Sequence, residues 1–169
     1  MSFTVRHAAP EDAPALADLL NAVIARGGTT ARQTAFTPEA LAEADLDGPN
    51  VHVCFVAIDP ATKRIEGFQT LGRNPQLPQD IGDIATFARV DGAKRGVGSA
   101  LFTQMIEAAR AHGLTAINAT IRADNAGGLA FYAKQGFVDH SVTFAVPLAD
   151  GTPVDRVHKR YPLAEAIAA

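Results

Sequence analysis

The sequence predicts a mixed α/β fold, and three observations support this class. Apolar and polar residues alternate in several short segments, as in half-buried strands, whereas other segments repeat apolar residues at helical spacing. In the second half of the chain, a strand, a glycine turn, a helix and another strand follow one another, which predicts a parallel pair joined by a crossover helix. The 169 residues are 47% apolar and 20% charged, so we expect one folded domain spanning residues 1–169.

The predicted elements follow the order β-α-α-β-β-β-α-β-α-β-β. Strands are expected over residues 3–7, 51–58, 65–71, 84–90, 116–121, 138–146 and 154–161. The first helix begins near Pro10 and ends at Gly27-Gly28, because proline suits a first helical turn and glycine a helix end. Thr37 is the expected N-cap of the second helix, which Gly48-Pro49 closes. The third helix runs over residues 97–112 and the fourth over 126–135.

Charge and composition exclude several classes of function. The net charge is −3, and the longest basic runs are the pairs Lys94-Arg95 and Lys159-Arg160. We therefore expect neither nucleic acid nor a membrane surface as a partner. No segment has the apolar length of a membrane span or the apolar core of a signal peptide, so a cytoplasmic location is expected.

Cysteine and histidine usage argues against a disulfide and a metal site. The single cysteine, Cys54, lies in the apolar run VHVCFVAI and is expected to be a buried core residue rather than a reactive thiol. The five histidines, at positions 7, 52, 112, 140 and 158, show no paired spacing. We therefore expect no bound metal.

The segment GAKRGVGSALF, residues 92–102, joins a predicted strand to the third helix. It is not a Walker A loop, because Gly98 and Ser99 are adjacent and no lysine separates them, and Leu101 stands where a dinucleotide fingerprint needs its third glycine. A helix start with small residues can bind a phosphate through unpaired backbone N–H groups, with Lys94 and Arg95 supplying charge. The same residues also suit a plain tight connection.

A second segment, DNAGGLAFYAKQGF at residues 124–137, favours the anion site. It opens the fourth helix after a predicted strand, with Asn125 at its start and Tyr132 and Gly136-Phe137 at fixed offsets. Together with residues 93–98, this segment resembles the GCN5-related N-acetyltransferases (GNAT superfamily), and the order of elements agrees over nearly the whole chain. Ala93 departs from that family's pattern, which has Arg or Gln at this position, and Lys94 or Arg95 is expected to compensate.

The resemblance implies the GNAT acyl-CoA N-acyltransferase fold, in which two neighbouring parallel strands splay apart and acetyl-CoA lies between them. The pyrophosphate would rest on residues 95–99, and the pantetheine arm would pair with backbone groups of Ala88 and Val90. Asn125 would bond the pantetheine or cap its helix. The full set of implied cofactor-binding residues is Ala88, Arg89, Val90, Ala93, Lys94, Arg95, Gly96, Val97, Gly98, Ser99, Asn125, Gly128 and Tyr132.

The resemblance also implies direct transfer of the acetyl group within a ternary complex. Tyr132 matches the family's general acid, and a phenol is a competent donor to a thiolate; its alternative role is a packed helix tyrosine with its hydroxyl in water. Asp83 and Glu66 are candidates for the base because carboxylates on these strands can face the cleft. For both, a solvated surface charge is the alternative.

Residues 19–39 resemble the corresponding part of the phosphinothricin and methionine sulfoximine N-acetyltransferases. This likeness predicts a small-molecule primary amine as the acceptor, with Thr29 and Thr30 among its contacts and Arg73 binding a carboxylate. Two other functions stay open, acetylation of a protein N-terminus or lysine and a non-catalytic acyl-CoA sensor. A homodimer is also considered.

Overall fold

In the computed structural model, which describes residues 2–163, seven strands form one open sheet. The predicted domain over residues 1–169 therefore includes Met1 and residues 164–169, which lie outside the described range. The strands are β1 (Thr4–His7), β2 (Val51–Ile58), β3 (Ile65–Gly72), β4 (Ile81–Ala88), β5 (Ala116–Arg122), β6 (Val138–Pro147) and β7 (Pro153–Pro162). Their order in the sheet is β1-β2-β3-β4-β5-β7-β6, with β4 and β5 parallel and the other neighbours antiparallel. The predicted mixed α/β class is confirmed.

The helices are α1 (Ala13–Arg26), α2 (Pro38–Leu41), α3 (Val97–Ala111) and α4 (Ala126–Gln135). A short 3₁₀ turn, Pro10–Asp12, precedes α1, and a π-helical turn, Ala42–Leu46, continues α2. The predicted N-cap of α2 is confirmed, because the Thr37 hydroxyl accepts a hydrogen bond from the Ala40 N–H at 3.0 Å. At the end of α1, Gly27 takes a positive φ of 74°, which glycine adopts without steric cost.

Two hydrophobic cores cover the two faces of the sheet. Along β2, Val53 and Phe55 belong to the core that contains α3, whereas Cys54 and Val56 belong to the core beneath α1 and α2. This alternation follows from the two-residue repeat of a strand. Cys54 is buried and free, as expected, and burial raises the pKa of its thiol, so the thiol stays protonated.

Strands β4 and β5 pair along only part of their length. Their register runs from Ile81 opposite Ala116 to Ile84 opposite Ala119. Beyond this point both strands continue, β4 to Ala88 and β5 to Arg122, without further pairing to each other. The expected splay at the centre of the sheet is therefore present.

The observed bounds differ from the predicted ones mainly at β4 and α2. Strand β4 runs over Ile81–Ala88 rather than residues 84–90. A Cβ on Gly82 would lie 2.8 Å from methyl carbons of Leu71 and Leu114, so close packing explains this glycine. The second helix becomes π-helical from Ala42, where the Asp47 N–H reaches back to the Ala42 carbonyl.

Candidate active site

The separated ends of β4 and β5 form one wall of a cleft of about 640 Å³. The start of α4 and the loop after α1 supply the other walls. Of the predicted site residues, those that line this cleft are Thr29, Thr30, Asp83, Ala88, Arg89, Val90, Ala93, Gly98, Asn125, Gly128 and Tyr132. Residues far apart in the chain are therefore brought together around one cleft.

Helix α3 begins beside this cleft with no side chain capping its first turn. Its N-cap, Gly96, has a φ of 90°, which a residue with a Cβ rarely adopts, and its carbonyl accepts from the Ala100 N–H at 3.0 Å. The N–H groups of Val97, Gly98 and Ser99 precede this first helical bond. Together with the helix dipole, they form a positive backbone site suited to a phosphate group.

Gly98 has a second structural role that the sequence motif does not indicate. A Cβ at this position would lie 2.6 Å from Cε1 of Phe131 on α4. Phe131 in turn meets the Tyr132 ring edge-on, with 5.0 Å between the ring centroids. The glycine therefore allows α3 and α4 to approach each other at the cleft.

Two of the polar residues around the α3 turn already form hydrogen bonds or ion pairs with other side chains of the protein. The Lys94 ammonium pairs with the Asp59 carboxylate and lowers the pKa of that carboxyl. The positive charge that Lys94 was expected to supply at the turn is therefore partly neutralised by Asp59. The Arg95 side chain is exposed, and the Ser99 hydroxyl accepts from Gln135 Nε2 at 2.8 Å, which leaves its hydrogen available to donate.

The open edge of β4 directs backbone groups into the cleft. Gly67 and Ala88 are cross-strand partners, and the Arg89 N–H donates to the Glu66 carbonyl at 3.0 Å. In an antiparallel pair, this pattern turns the N–H and C=O of Ala88, and two residues earlier those of Thr86, away from β3. These groups face the side from which β5 has separated, where a ligand with amides can pair with them.

Tyr132 is buried at the centre of this arrangement. Its hydroxyl lies 2.9 Å from Thr86 Oγ1, and Thr86 also accepts from Gln69 Nε2 at 3.0 Å. Burial raises the pKa of Tyr132 to about 12, so the phenol stays protonated at neutral pH. Because Gln69 occupies one lone pair of Thr86, the Thr86 hydrogen can point to Tyr132 and leave the phenol hydrogen free for the cleft.

The two predicted base candidates lie in different environments. The Asp83 carboxylate lines the cleft and accepts from Asn118 Nδ2 at 3.0 Å and from Asn74 Nδ2 at 3.1 Å. Glu66 is 1% exposed, does not line the cleft, and accepts from Arg64 Nε at 2.7 Å. The expectation that Glu66 faces the cleft is wrong, because its carboxylate is buried in an ion pair with Arg64.

Asn125 connects α4 to the loop that covers the cleft. Its Oδ1 accepts from the Gly128 N–H, which makes it the N-cap of α4, and its Nδ2 donates to the Thr29 carbonyl, both at 2.9 Å. A Cβ on Gly128 would lie 2.4 Å from Asn125 Nδ2. Close approach to the cap therefore explains Gly128 within this chain.

The loop after α1 has two further attachments. Arg122 Nη1 donates to the Thr30 carbonyl at 3.1 Å, and the Asp124 carboxylate orients the same guanidinium. Arg32 forms a two-bond ion pair with buried Asp45 and stacks over the Phe87 ring at 5.1 Å. The loop therefore forms a fixed wall of the cleft rather than an open edge.

Arg73 does not line the cleft. Its guanidinium donates to the carbonyls of Asn74 and Leu77 within the loop after β3. The expected contact between Arg73 and an acceptor carboxylate is therefore not supported, because this side chain holds its own loop. Asn74, in the same loop, donates to Asp83 and orients its carboxylate.

Sequence reasoning missed four polar residues on the strands beside the cleft, namely Gln69, Thr86, Asn118 and Thr120. Gln69 and Asn118 are buried at 0% and 1% exposure. Polar side chains inside otherwise apolar strands were the available signal, because buried polar groups need partners. Which partner each one meets depends on strand register, which the sequence pattern does not specify.

Comparison with known proteins identifies the family. Residues 27–137, well over half of the chain, match the family model described as the acetyltransferase (GNAT) family. The chain belongs to this acetyltransferase family. The predicted resemblance is thereby confirmed, and no curated protein is significantly similar to the chain in sequence.

Solved structures support the same fold. A GNAT superfamily phosphinothricin acetyltransferase from Sinorhizobium meliloti, in complex with acetyl-CoA, superposes with a TM-score of 0.84 at 20% identity, covering 100% of this chain and 92% of the other. The protein yncA from Salmonella typhimurium, with its cofactor acetyl-CoA, gives 0.81 at 16% identity, covering 100% and 98%. A ribosomal-protein-alanine N-acetyltransferase from Brucella melitensis gives 0.80 at 21% identity, covering 94% and 99%.

Residues 2–163 contain neither a membrane-spanning helix nor a cluster of metal-ligating side chains. No helix in this range combines the length and apolarity that a bilayer crossing requires. The same residues hold no group of three or more His, Cys, Asp or Glu side chains placed to share a metal ion.

Proposed function

We propose that the protein is an acetyl-CoA-dependent N-acetyltransferase that transfers an acetyl group directly to a primary amine of a small molecule. The observation that carries this proposal is the cleft itself. It joins an uncapped helix start, an open strand edge and a buried Tyr132–Thr86 pair beneath a fixed loop. The family membership and the acetyl-CoA complexes of similar structures support the choice of cosubstrate.

The residues present suit two parts of acetyl-CoA, its diphosphate and its pantetheine arm. The backbone N–H groups of residues 97–99 suit its diphosphate, and the exposed Arg95 can add charge. The backbone groups of Thr86 and Ala88 suit the amides of its pantetheine arm. A donor N–H on this strand would also stabilise the negative charge that develops on the thioester oxygen during attack by the amine.

The chemistry then needs a neutral amine and a proton for the departing thiolate. Tyr132 is the proposed general acid, because its phenol is protonated, buried in the cleft and oriented by Thr86. Asp83 is the proposed carboxylate that attracts the acceptor ammonium and holds it in the cleft. Asn74 and Asn118 hold this carboxylate from both sides.

A small acceptor is favoured over a protein acceptor by the loop after α1. Asn125 and Arg122 hold the backbone of Thr29 and Thr30 against the start of α4, so this side of the cleft is walled. A protein N-terminus or lysine tail would need an extended groove. The similar phosphinothricin acetyltransferase makes an amino-acid-like amine the first class to test.

The deciding experiment is an acetyl-transfer assay that follows thiol release from acetyl-CoA. The panel contains phosphinothricin, methionine sulfoximine, other amino acids, polyamines and N-terminal alanine peptides. We expect turnover with a small primary amine and an N-acetylated product by mass spectrometry. Turnover restricted to the peptides would favour the protein-acetylating alternative, and acetyl-CoA binding without turnover would favour a sensor.

The proposal also covers the location of the protein and its oligomeric state. We propose a cytoplasmic location. A homodimer is considered because three large apolar side chains on the edge strand β6 are exposed, Val138 at 60%, Val142 at 42% and Phe144 at 74%. Sedimentation equilibrium measures the molecular mass in solution independently of shape.

A further inference from the structure

A histidine lies behind the cleft and is connected to it through one hydroxyl group. Thr120 on β5 lines the cleft, and its cross-strand partner on β7 is His158. The Thr120 Oγ1 lies 2.9 Å from His158 Nδ1, and His158 Nε2 lies 2.7 Å from Thr143 Oγ1 on β6. Both ring nitrogens are therefore engaged, and the ring orientation is fixed.

The neighbouring Asn118 determines the direction of these hydrogen bonds. Its Oδ1 accepts from Arg160 Nε at 2.8 Å, and since that nitrogen only donates, the Asn118 amide nitrogen must face the other way. Nδ2 accordingly donates to Asp83 Oδ1 at 3.0 Å and to Thr120 Oγ1 at 3.1 Å. With one lone pair of Thr120 so occupied, its hydrogen can point to His158 and its second lone pair can face the cleft.

We propose that His158 is the proton acceptor for the amine substrate and that the Thr120 hydroxyl passes the proton to it. This inference rests on the proposed function. In the step, one N–H bond of the acceptor ammonium breaks and its proton joins Thr120 Oγ1. The Thr120 O–H bond breaks at the same time, and its proton joins His158 Nδ1. The products are a neutral amine, an unchanged hydroxyl and an imidazolium whose two N–H groups face Thr120 and Thr143.

The surroundings of His158 suit this role. Burial is the largest influence and lowers its pKa, and Arg160 on β7 and His140 on β6 lower it further, whereas Asp83 on β4 raises it. The net direction is downward, so the imidazole is neutral at pH 7 and free to accept a proton. Asp83 then stabilises the imidazolium after transfer, which assigns the carboxylate an electrostatic role.

The first test reads the ring directly and needs no substrate. Nitrogen-15 NMR of histidine-labelled protein at pH 7.5 reports which ring nitrogen carries hydrogen, with the His158→Gln variant giving the assignment. We expect the neutral ring with hydrogen on Nε2, because Nδ1 must accept from Thr120. A ring with hydrogen on Nδ1, or an imidazolium at this pH, would overturn the relay.

The second test uses the amine with the highest turnover in the panel above. His158→Gln and Thr120→Val should each lower kcat at pH 7 by roughly 10²-fold, the lower range for loss of a general base. Thr120→Ser keeps the hydroxyl and should retain most activity, and His112→Gln is the control for loss of a histidine elsewhere. In the wild type, kcat/KM should fall at acidic pH as His158 becomes protonated, and this limb should be lost in His158→Gln.

The outcomes separate this inference from the proposed function. A lower kcat supports the relay only if the variant keeps the melting temperature and the acetyl-CoA affinity of the wild type. Thr120→Ser is the second control, because it keeps the hydroxyl group and should therefore keep the activity. If the wild type transfers acetyl groups and His158→Gln matches its rate and pH profile, the relay is wrong and the function stands. If the wild type acetylates no amine, both fail.

Discussion

The phenol of Tyr132 receives its orientation from two residues on neighbouring strands. Thr86 contacts the hydroxyl at 2.9 Å, and Gln69 holds Thr86 at 3.0 Å. A buried phenol with a pKa of about 12 is fully protonated at neutral pH. In the proposed reaction, this hydroxyl donates to the sulfur as negative charge develops on the leaving thiolate in the same cleft.

Tyr132→Phe should therefore lower kcat by roughly 10²-fold, because it removes the proton donor. Acetyl-CoA affinity by calorimetry should stay within a few-fold of wild type, since the backbone contacts proposed for the cosubstrate are unaffected. The control is Tyr161→Phe, which changes a partly buried tyrosine that packs against Phe102 and Phe137. An unchanged kcat in Tyr132→Phe would remove this residue from the mechanism.

At the level of elements, the start of α3 combines the proposed phosphate site with a packing contact. Gly96 supplies the backbone conformation of the turn, and Gly98 leaves room for Phe131 of α4. A side chain at position 98 therefore has two separable effects. It can displace Phe131, and it can block the backbone N–H groups of the first turn.

We expect Gly98→Val to lower both the melting temperature and the affinity for acetyl-CoA. Overpacking costs about 1–3 kcal/mol, and because position 98 lines the cleft, a valine there should also crowd the proposed phosphate site. Adding Phe131→Ala removes the clash, so the double variant should recover stability relative to Gly98→Val but not affinity. Calorimetry and thermal unfolding measure the two effects, with Phe131→Ala alone as the reference. Recovery of full affinity in the double variant would show that position 98 acts only through packing.

The helices and strands were predictable from local sequence patterns, whereas the contacts of individual side chains between distant elements were not. The helix starts at Thr37 and Asn125 follow from capping chemistry, which depends on residues three positions away, and both caps are present. The roles of Glu66 and Asn74 depend on contacts with Arg64 and Asp83. The motif predicts a binding role for Gly98, but its packing against Phe131 follows only from the approach of α3 to α4 in the structure.

On the scale of the whole molecule, the site occupies the place where the sheet is incomplete. Paired strands lie on both sides, β1 to β4 on one and β5, β7 and β6 on the other, and four residue pairs between β4 and β5 join them. A ligand that bridges the cleft would contact both halves. Its binding free energy should therefore add to the stability of the fold.

Acetyl-CoA at one hundred times its dissociation constant should raise the free energy of unfolding by about 2.7 kcal/mol. The corresponding rise in melting temperature is expected to be several degrees for a chain of this size. S-acetylpantetheine, which lacks the diphosphate, should give a smaller rise at equal concentration because it leaves the α3 site empty. Differential scanning calorimetry makes the comparison, and equal shifts for both thioesters would contradict a role for the α3 turn.

The partial pairing of β4 with β5 has a consequence for which acetyl donors the protein can use. The start of α3 and the point where the strands separate are fixed parts of one framework, so the distance between them is set by the fold. An acetyl donor bound at the start of α3 brings its acetyl group to the point where β4 and β5 separate only if its arm has the matching length. If acetyl-CoA binds as proposed, the framework should therefore disfavour carriers with shorter or longer arms, independently of any contact with the acetyl group.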